Sequence, residues 1–187
     1  MLNYNSPIKE DKNYNDLSIK VISPIMKLNI RGKSREFFTS AGKSLNMVLP
    51  TEANTSSSND KLTSIWLSPD EWMIISNDVV EKDTNEYKLE EILFNSLSKV
   101  NLGAVIDVSD QFIMLELKGK NIYELFSLGS PFNFDEFRKK EGSTTQTLLN
   151  NIDVIIHQKT EESVNLFVRR SFSEHLMSWI NDAASRL

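Results

Sequence analysis

Apolar and polar residues alternate with a period of two in several short segments of the chain, a pattern typical of half-buried β-strands. In the first of these segments, Met26, Leu28 and Ile30 are separated by Lys27 and Asn29. Short turn sequences join the later segments in pairs, so the pattern predicts three antiparallel strand pairs. The strands are predicted within residues 21–31, 64–67, 71–75, 103–108, 111–117, 146–158 and 164–170.

Apolar residues recur every three to four positions in other segments, which is the period of amphipathic helices. The last of these helices has the clearest beginning, because Ser171 and Glu174 have the S-x-x-E spacing of a capping box. Its predicted apolar face begins with Phe172. Helical segments are predicted at residues 35–41, 87–99 and 121–126, and from residue 171 onwards.

Strand pairs that alternate with helices predict an α+β fold, in which helices pack on a mostly antiparallel sheet of ferredoxin-like type. Residues 1–20 are largely polar and contain the sequence Asn-Tyr-Asn twice, so we expect a flexible N-terminal arm. Residues 51–60 are a polar loop by composition. Residues 21–187 are expected to form a single domain, because a chain of 187 residues, 40% of them hydrophobic, can bury one sizeable core.

The composition excludes several classes of protein. The chain contains no cysteine, which excludes disulfides, thiolate zinc sites, iron–sulfur clusters and cysteine nucleophiles. Its formal net charge of −5 disfavours a general nucleic-acid-binding protein, which needs a basic surface. The first 30 residues lack the apolar run of a secretory signal, and no stretch is apolar enough to span a membrane. We therefore expect a cytoplasmic protein without membrane contacts.

Carboxylates are concentrated between Asp70 and Glu91, where few lysines oppose them. Such a run is typical of a solvated face, and the alternative is a docking surface for a basic partner subunit. Trp66 and Trp72 flank the turn at the start of this run. Because tryptophan often anchors interfaces, both are candidate partner-interface residues, with core packing as the alternative.

Two adjacent arginines, Arg169 and Arg170, end the last predicted strand. The period of two sends their side chains to opposite faces, so at most one of them points inward. An arginine fork suits a carboxylate or phosphate of a ligand or partner. The alternative is a charged strand end that discourages edge-to-edge aggregation. Both arginines are therefore candidate interface residues.

The sequence lacks the standard nucleotide-binding loops. Gly32-Lys33-Ser34 and Gly42-Lys43-Ser44 resemble the end of a phosphate-binding loop, but Lys27 and Phe37 stand where that loop needs its first glycine. The G-x-G-x-x-G sequence of dinucleotide-binding folds is also missing. A nicotinamide or flavin dinucleotide would therefore have to be held by another chain.

Two residues are candidates for proton transfer. His157 follows an apolar run and is expected to be a structural histidine, with a catalytic base as the alternative. The other histidine, His175, does not have the spacing to His157 that two metal ligands on one helix face require. Asp107 lies in apolar β sequence and is either a perturbed general base or a cap of the following turn. We assign no catalytic, cofactor-binding or metal-binding residue.

Several segments together resemble the gamma subunit of heterotetrameric sarcosine oxidase. They occur in that family's order and cover roughly residues 20 to 184. The most specific are the Trp-Leu-x-Pro-Asp-Glu-Trp hairpin and the Val-Arg-Arg-Ser-Phe entry to the last helix. One departure is Ser130-Pro131, where members of the family often have Cys-Pro. The segments are residues 27–32, 65–72, 107–109, 117–119, 129–131, 146–149 and 167–172.

The resemblance implies a subunit of a four-chain enzyme that oxidises sarcosine to glycine. Its products would be hydrogen peroxide and 5,10-methylenetetrahydrofolate or formaldehyde. It implies nicotinamide (NAD) and folate sites in an alpha chain, flavins (FAD and FMN) in a beta chain and zinc in a delta chain, with no cofactor in the gamma chain. The family is also similar in fold to the folate domain of aminomethyltransferases such as the glycine-cleavage T-protein.

Two alternatives remain open from the sequence. The first is a stand-alone folate-binding module of aminomethyltransferase type, with Asp107 as its catalytic residue. The second keeps the subunit role in an oxidase or dehydrogenase that acts on another N-methylated amino acid. The resemblance places the substrate pocket of such an enzyme in the beta subunit, so this chain does not separate the substrates.

Overall fold

The computed structural model describes residues 5–22, 25–77 and 87–187. Residue contacts divide the chain into two compact units. Unit 1 comprises residues 1–23 and 111–187, and unit 2 comprises residues 24–110. This division differs from the single domain predicted over residues 21–187, because the N-terminal strands pair with strands of the C-terminal half.

The helices and strands confirm the α+β class with antiparallel pairing. A π-helical turn at Phe94–Ser98 follows the second helix, and 3-10 turns lie at Phe137–Lys139 and Arg170–Phe172. The helices are α1 (Arg35–Leu45), α2 (Tyr87–Leu93), α3 (Ile122–Ser127) and α4 (Ser173–Ala184). The strands are β1 (Lys12–Tyr14), β2 (Leu17–Ile22), β3 (Lys27–Arg31), β4 (Ser56–Ser58), β5 (Leu62–Ser68), β6 (Glu71–Ser76), β7 (Ala104–Asp107), β8 (Phe112–Lys118), β9 (Thr144–Leu149), β10 (Ile152–Thr160) and β11 (Ser163–Arg169).

Unit 1 is a six-stranded antiparallel sheet with the order β1-β2-β8-β11-β10-β9. Alternate residues of the strands, such as Ile113 and Leu115, point to one face of the sheet, as the period of two requires. There they form a buried cluster with Phe126 of α3 and with Leu176 and Ile180 of α4. The strand predicted at 146–158 is divided by a turn at residues 150–151 into β9 and β10, which pair with each other, and β10 forms the predicted hairpin with β11.

The N-terminal segment differs from the predicted flexible arm. Its described residues form β1 and the first part of β2, and β2 pairs with β8. Leu17 and Ile19 are buried in the core of unit 1. The hydroxyl of Tyr14 donates a 2.6 Å hydrogen bond to the Asn181 side chain in α4. Leu17 and Ile19 are therefore the apolar residues by which this otherwise polar segment packs against the sheet.

Unit 2 is a five-stranded antiparallel sheet with the order β4-β5-β6-β3-β7. The predicted hairpin of β5 and β6 is confirmed, with Trp66 opposite Trp72. Helix α1 packs Phe37, Ala41 and Leu45 against the sheet. The segment predicted as a polar loop at 51–60 contributes the short strand β4, which pairs with β5.

Two other local predictions were wrong. Residues 103–108 and 111–117 do not form a hairpin across residues 109–110, because β7 pairs with β3 and β8 pairs with β2 and β11. The capping box is also absent, since the 3-10 turn delays the start of α4 to Ser173, and Phe172 at the cap makes no side-chain cap bond. Phe172 is 50% exposed rather than part of the core.

Candidate interaction surface

The tryptophan hairpin of unit 2 contributes mainly to the core. Trp72 is 1% exposed, and its ring stacks on Phe37 with 5.7 Å between the ring centroids. Its indole N–H donates a 2.8 Å hydrogen bond to the carbonyl of Pro50. Trp66 is half-buried on the neighbouring strand. Of the two tryptophans proposed as interface residues, only Trp66 therefore has an accessible surface.

The acidic residues at this hairpin turn contact cations of the same unit. Asp70 lies 3.4 Å from the guanidinium of Arg31 and 3.4 Å from the ammonium of Lys33. The pKa of Asp70 is lowered, first by the hydrogen bond from the Ser68 hydroxyl and then by the charge of Arg31. Residues 78–86 of the predicted acidic surface lie outside the described residues. Of its described members, Asp70 and Glu71 pair with cations of the same unit, whereas Glu90 and Glu91 make no ion pair among the described residues.

The two glycine-lysine-serine sequences belong to helix α1 and its cap. The hydroxyl of Ser34 accepts a 3.0 Å hydrogen bond from the backbone N–H of Phe37, which is an ordinary N-cap. A Cβ at Gly32 would lie 2.3 Å from the Phe37 ring, so close packing explains this glycine. Gly42 lies inside α1. Neither sequence forms a phosphate-binding loop.

Asp107 caps the turn that follows β7. It is exposed, and its carboxylate accepts a 2.8 Å hydrogen bond from the backbone N–H of Ser109. Lys27, the first residue of β3, contacts the same turn and is 3% exposed, although the sequence patterns had placed it on a polar strand face. Its ammonium donates to the carbonyls of Ser109 (2.9 Å) and Ile25 (3.1 Å). Burial lowers the pKa of Lys27 to about 8 against the opposing effect of Asp110 and Asp107.

His157 lies in the middle of β10 and is 5% exposed. Its cross-strand neighbours are Asn165 of β11 and Thr144 of β9. Burial lowers its pKa to about 4, with a smaller contribution from Lys159. The imidazole is therefore neutral at pH 7 and shielded from solvent. His175 is exposed in the first turn of α4.

The structure places the two arginines in different surroundings. Arg169 is exposed, and its guanidinium carbon lies 5.8 Å from the centroid of the Phe112 ring, a cation–π geometry. Arg170 is half-buried and its guanidinium donates a hydrogen bond to the carbonyl of Asn5. The backbone N–H of Arg170 donates to the carbonyl of Gln111 at 2.8 Å. Arg170 thus holds the N-terminal segment, and Arg169 faces solvent.

Two grooves of unit 1 meet at Arg169. One has a volume of about 600 Å³ and the other of about 520 Å³, and Arg169 lines both. The sequence pointed to Arg169 and the adjacent Arg170, but not to the lining residues that come from β8, β9, β10 and α4. The first groove is also lined by Phe112, Pro131, Gln146, Thr147, Leu148, Asp153, Val154 and Ile155, and the second by Pro7, Gln111, Arg170, Ser171 and Glu174.

Large apolar side chains are exposed in both units. Those of unit 2 lie mostly on or near α2, the π-helical turn and β7. In unit 1, Leu148 borders the larger groove. The exposed large apolar residues are Val48, Ile92, Phe94, Val100, Ile106, Leu128, Leu148 and Phe172.

Within residues 5–22, 25–77 and 87–187, His, Asp and Glu side chains nowhere gather in threes as a metal ion would require. No helix among them is both long and apolar enough to cross a membrane.

Comparison with known proteins identifies the family. The family model described as "Sarcosine oxidase, gamma subunit family" matches residues 32–186. The chain belongs to this family. It is similar to sarcosine oxidase subunit gamma of Corynebacterium sp. strain U-96 (28% identity over 123 residues) and of strain P-1 (29% over 121 residues). Each match covers 65% of this chain and 55% or 56% of the relative, so the chain spans little more than half the length of these curated relatives.

Solved structures of related proteins show the same fold. A chain of the heterotetrameric sarcosine oxidase from Corynebacterium sp. U-96 matches with a TM-score of 0.81 at 22% identity, over 91% of this chain and 84% of that one. The glycine cleavage system aminomethyltransferase T from Bartonella henselae matches with a TM-score of 0.60 at 15% identity, over 90% of this chain and 48% of that one. The expected likeness of this gamma subunit family member to the aminomethyltransferase fold is confirmed.

Proposed function

We propose that this chain is the gamma subunit of a heterotetrameric sarcosine oxidase. Its partners would be alpha, beta and delta chains, which would hold NAD, tetrahydrofolate, FAD, FMN and zinc. The complex would oxidise sarcosine to glycine and produce hydrogen peroxide with 5,10-methylenetetrahydrofolate or formaldehyde. The observation that carries the proposal is the family match over residues 32–186.

In this proposal the chain has a structural role, and the surroundings of its polar residues support that role. His157 is neutral at pH 7 and buried within a sheet, which does not suit a base that must reach a substrate. Asp107 is engaged in capping a turn. Exposed apolar residues such as Phe94 and Ile106 supply surface of the kind that obligate interfaces bury.

The test is assembly with and without this chain. The four chains of the host would be produced together, and then the other three alone, with native mass spectrometry for assembly and sarcosine-dependent hydrogen peroxide formation for activity. We expect omission of this chain to abolish the complex and its turnover. Normal assembly and turnover of the other three chains would overturn the structural role. Replacing sarcosine by other N-methylated amino acids in the same assay tests the substrate.

A folate-binding module is the second candidate, because the fold matches that of an aminomethyltransferase. Titration calorimetry of the purified chain with tetrahydrofolate separates the two. Saturable binding that Asp107→Asn removes, and that the neighbouring Asp110→Asn leaves intact, would favour the module. We expect no heat of binding at high ligand concentration.

A further inference from the structure

Charged side chains of both signs line the two grooves. Arg169 lines both, Asp153 lines the larger groove, and Glu174 lines the smaller one together with Arg170, whose guanidinium donates to the carbonyl of Asn5. Across the described parts of the chain, the side chains of Arg169, Asp153 and Glu174 take part in no ion pair. Elsewhere in unit 1, Glu116 pairs with both Lys118 and Lys159. The charges of these three groove residues are therefore open to a charged group from another molecule.

The pairing of β11 with β8 places the Arg169 side chain near an aromatic ring. Arg169 is the last residue of β11 and lies directly opposite Phe112, the first residue of β8. The Phe112 ring beneath the guanidinium restricts its orientation and leaves the N–H groups available. A planar guanidinium binds a carboxylate through two parallel hydrogen bonds. Arg169 is thus available to bind a carboxylate.

The walls of the larger groove suit a peptide. Leu148 is 39% exposed at the edge strand β9, Pro131 is exposed, and Phe112 is half-buried. Both grooves are open to solvent, and Arg169 lines each of them. Small-molecule sites instead enclose most of their ligand. An extended segment that covers both grooves would bury these apolar walls.

We propose that the two grooves bind an extended segment of a partner subunit, in which one Asp or Glu contacts Arg169 between two flanking basic residues. The basic residues would contact Asp153 and Glu174, and an apolar side chain of the segment would cover Leu148. This inference rests on the proposed function, since it names the surface through which the chain joins its complex. Electrostatic complementarity of this kind fixes the register of an interface.

Photo-cross-linking in the assembled complex tests the position and the chemistry of the segment. A benzophenone amino acid would replace Leu148, and the same substitution at exposed Lys120 of unit 1 serves as the control. After irradiation, mass spectrometry identifies the cross-linked peptide. We expect one partner peptide from position 148, containing an acidic residue flanked by basic residues. No cross-link, or a peptide without an acidic residue, would overturn the inference.

Charge reversal tests the contact of Arg169 itself. We expect Arg169→Glu to weaken retention of the chain in the complex by about tenfold or more, Arg169→Lys to give a smaller loss, and Lys120→Glu to have no effect. Changing the cross-linked acidic residue of the partner to Lys should restore the Arg169→Glu complex. Unchanged retention of Arg169→Glu, or no rescue, would contradict the contact.

The two proposals fail in different ways. A wild-type chain that does not co-assemble with the oxidase subunits overturns the proposed function and this inference with it. A wild-type chain that assembles while Arg169→Glu assembles equally well overturns the inference alone. Circular dichroism of the free variants shows that each change leaves the fold intact.

Discussion

The two compact units are built alike but differ in how they satisfy their surface charges. Each consists of one antiparallel sheet with helices packed on one face. At the β5–β6 turn of unit 2, Asp70 contacts two cations of its own unit. At the end of β11 in unit 1, Arg169 makes no ion pair with any residue that the structure describes. Exposed pairs contribute little to stability, whereas an open charge in a groove can select a partner.

The tryptophan hairpin offers the largest expected effect in unit 2. Trp72→Ala removes a buried ring that stacks on Phe37 and should lower the free energy of unfolding by about 3 to 5 kcal/mol. Trp66→Ala, on the half-buried opposite residue, should cost less than half of that amount. Urea unfolding followed by circular dichroism measures both. An equal or larger loss for Trp66→Ala would contradict the assignment of Trp72 as the buried tryptophan of the pair.

Unit 1 should lose stability in acid because of His157. Burial lowers the pKa of His157 from 6.5 to about 4, so below pH 6.5 the unfolded chain binds a proton that the folded chain does not. The stability contributed by the neutral, buried His157 is fully present above pH 6.5. As the pH falls towards 4, the free energy of unfolding decreases by about 3 kcal/mol in total. His157→Gln should flatten this part of the stability profile. The exposed His175→Gln is the control, and an equal flattening by it would contradict the prediction.

Unit 2 has a buried titratable group with a different pH range. Burial lowers the pKa of Lys27 from 10.5 to about 8, so between these values the unfolded chain binds more protons than the folded chain. Stability should therefore rise from pH 8 to 10.5, by about 3 kcal/mol. Lys27→Met should remove this rise, and the exposed Lys61→Met should retain it. Unfolding midpoints measured across this pH range test the prediction. It would be wrong if the midpoint of Lys27→Met still rose from pH 8 to 10.5.

The accuracy of the sequence predictions depended on how local each feature is. The β5–β6 hairpin was predictable because the short turn sequence Pro69-Asp70 joins its strands. The pairing of β8 was not, because its partners β2 and β11 lie far away in the sequence. The N-terminal strands were missed for the same reason, since Leu17 gains its burial only against the distant sheet.

The candidate site follows the same division between local and distant features. The pair Arg169 and Arg170 was visible in the sequence, but the pattern could not show that one arginine holds Asn5 and the other faces two grooves. The acids on either side of Arg169 come from β10 and α4, which only the folded chain brings together. The burial of Lys27 could not be predicted from the alternation of β3, because the polar face of this strand is itself buried at this residue.

The smallest expected effect separates the two arginines in the free chain. Arg170→Ala breaks the exposed hydrogen bond that its guanidinium donates to Asn5, and we expect a loss of about 1 kcal/mol. Arg169→Ala removes only an exposed contact with Phe112, for which we expect about 0.5 kcal/mol. Urea unfolding of the free chain measures both variants. If Arg169→Ala were as destabilising as Arg170→Ala, Arg169 would be a structural residue, and the contrast between its open charge and the paired charges of unit 2 would disappear.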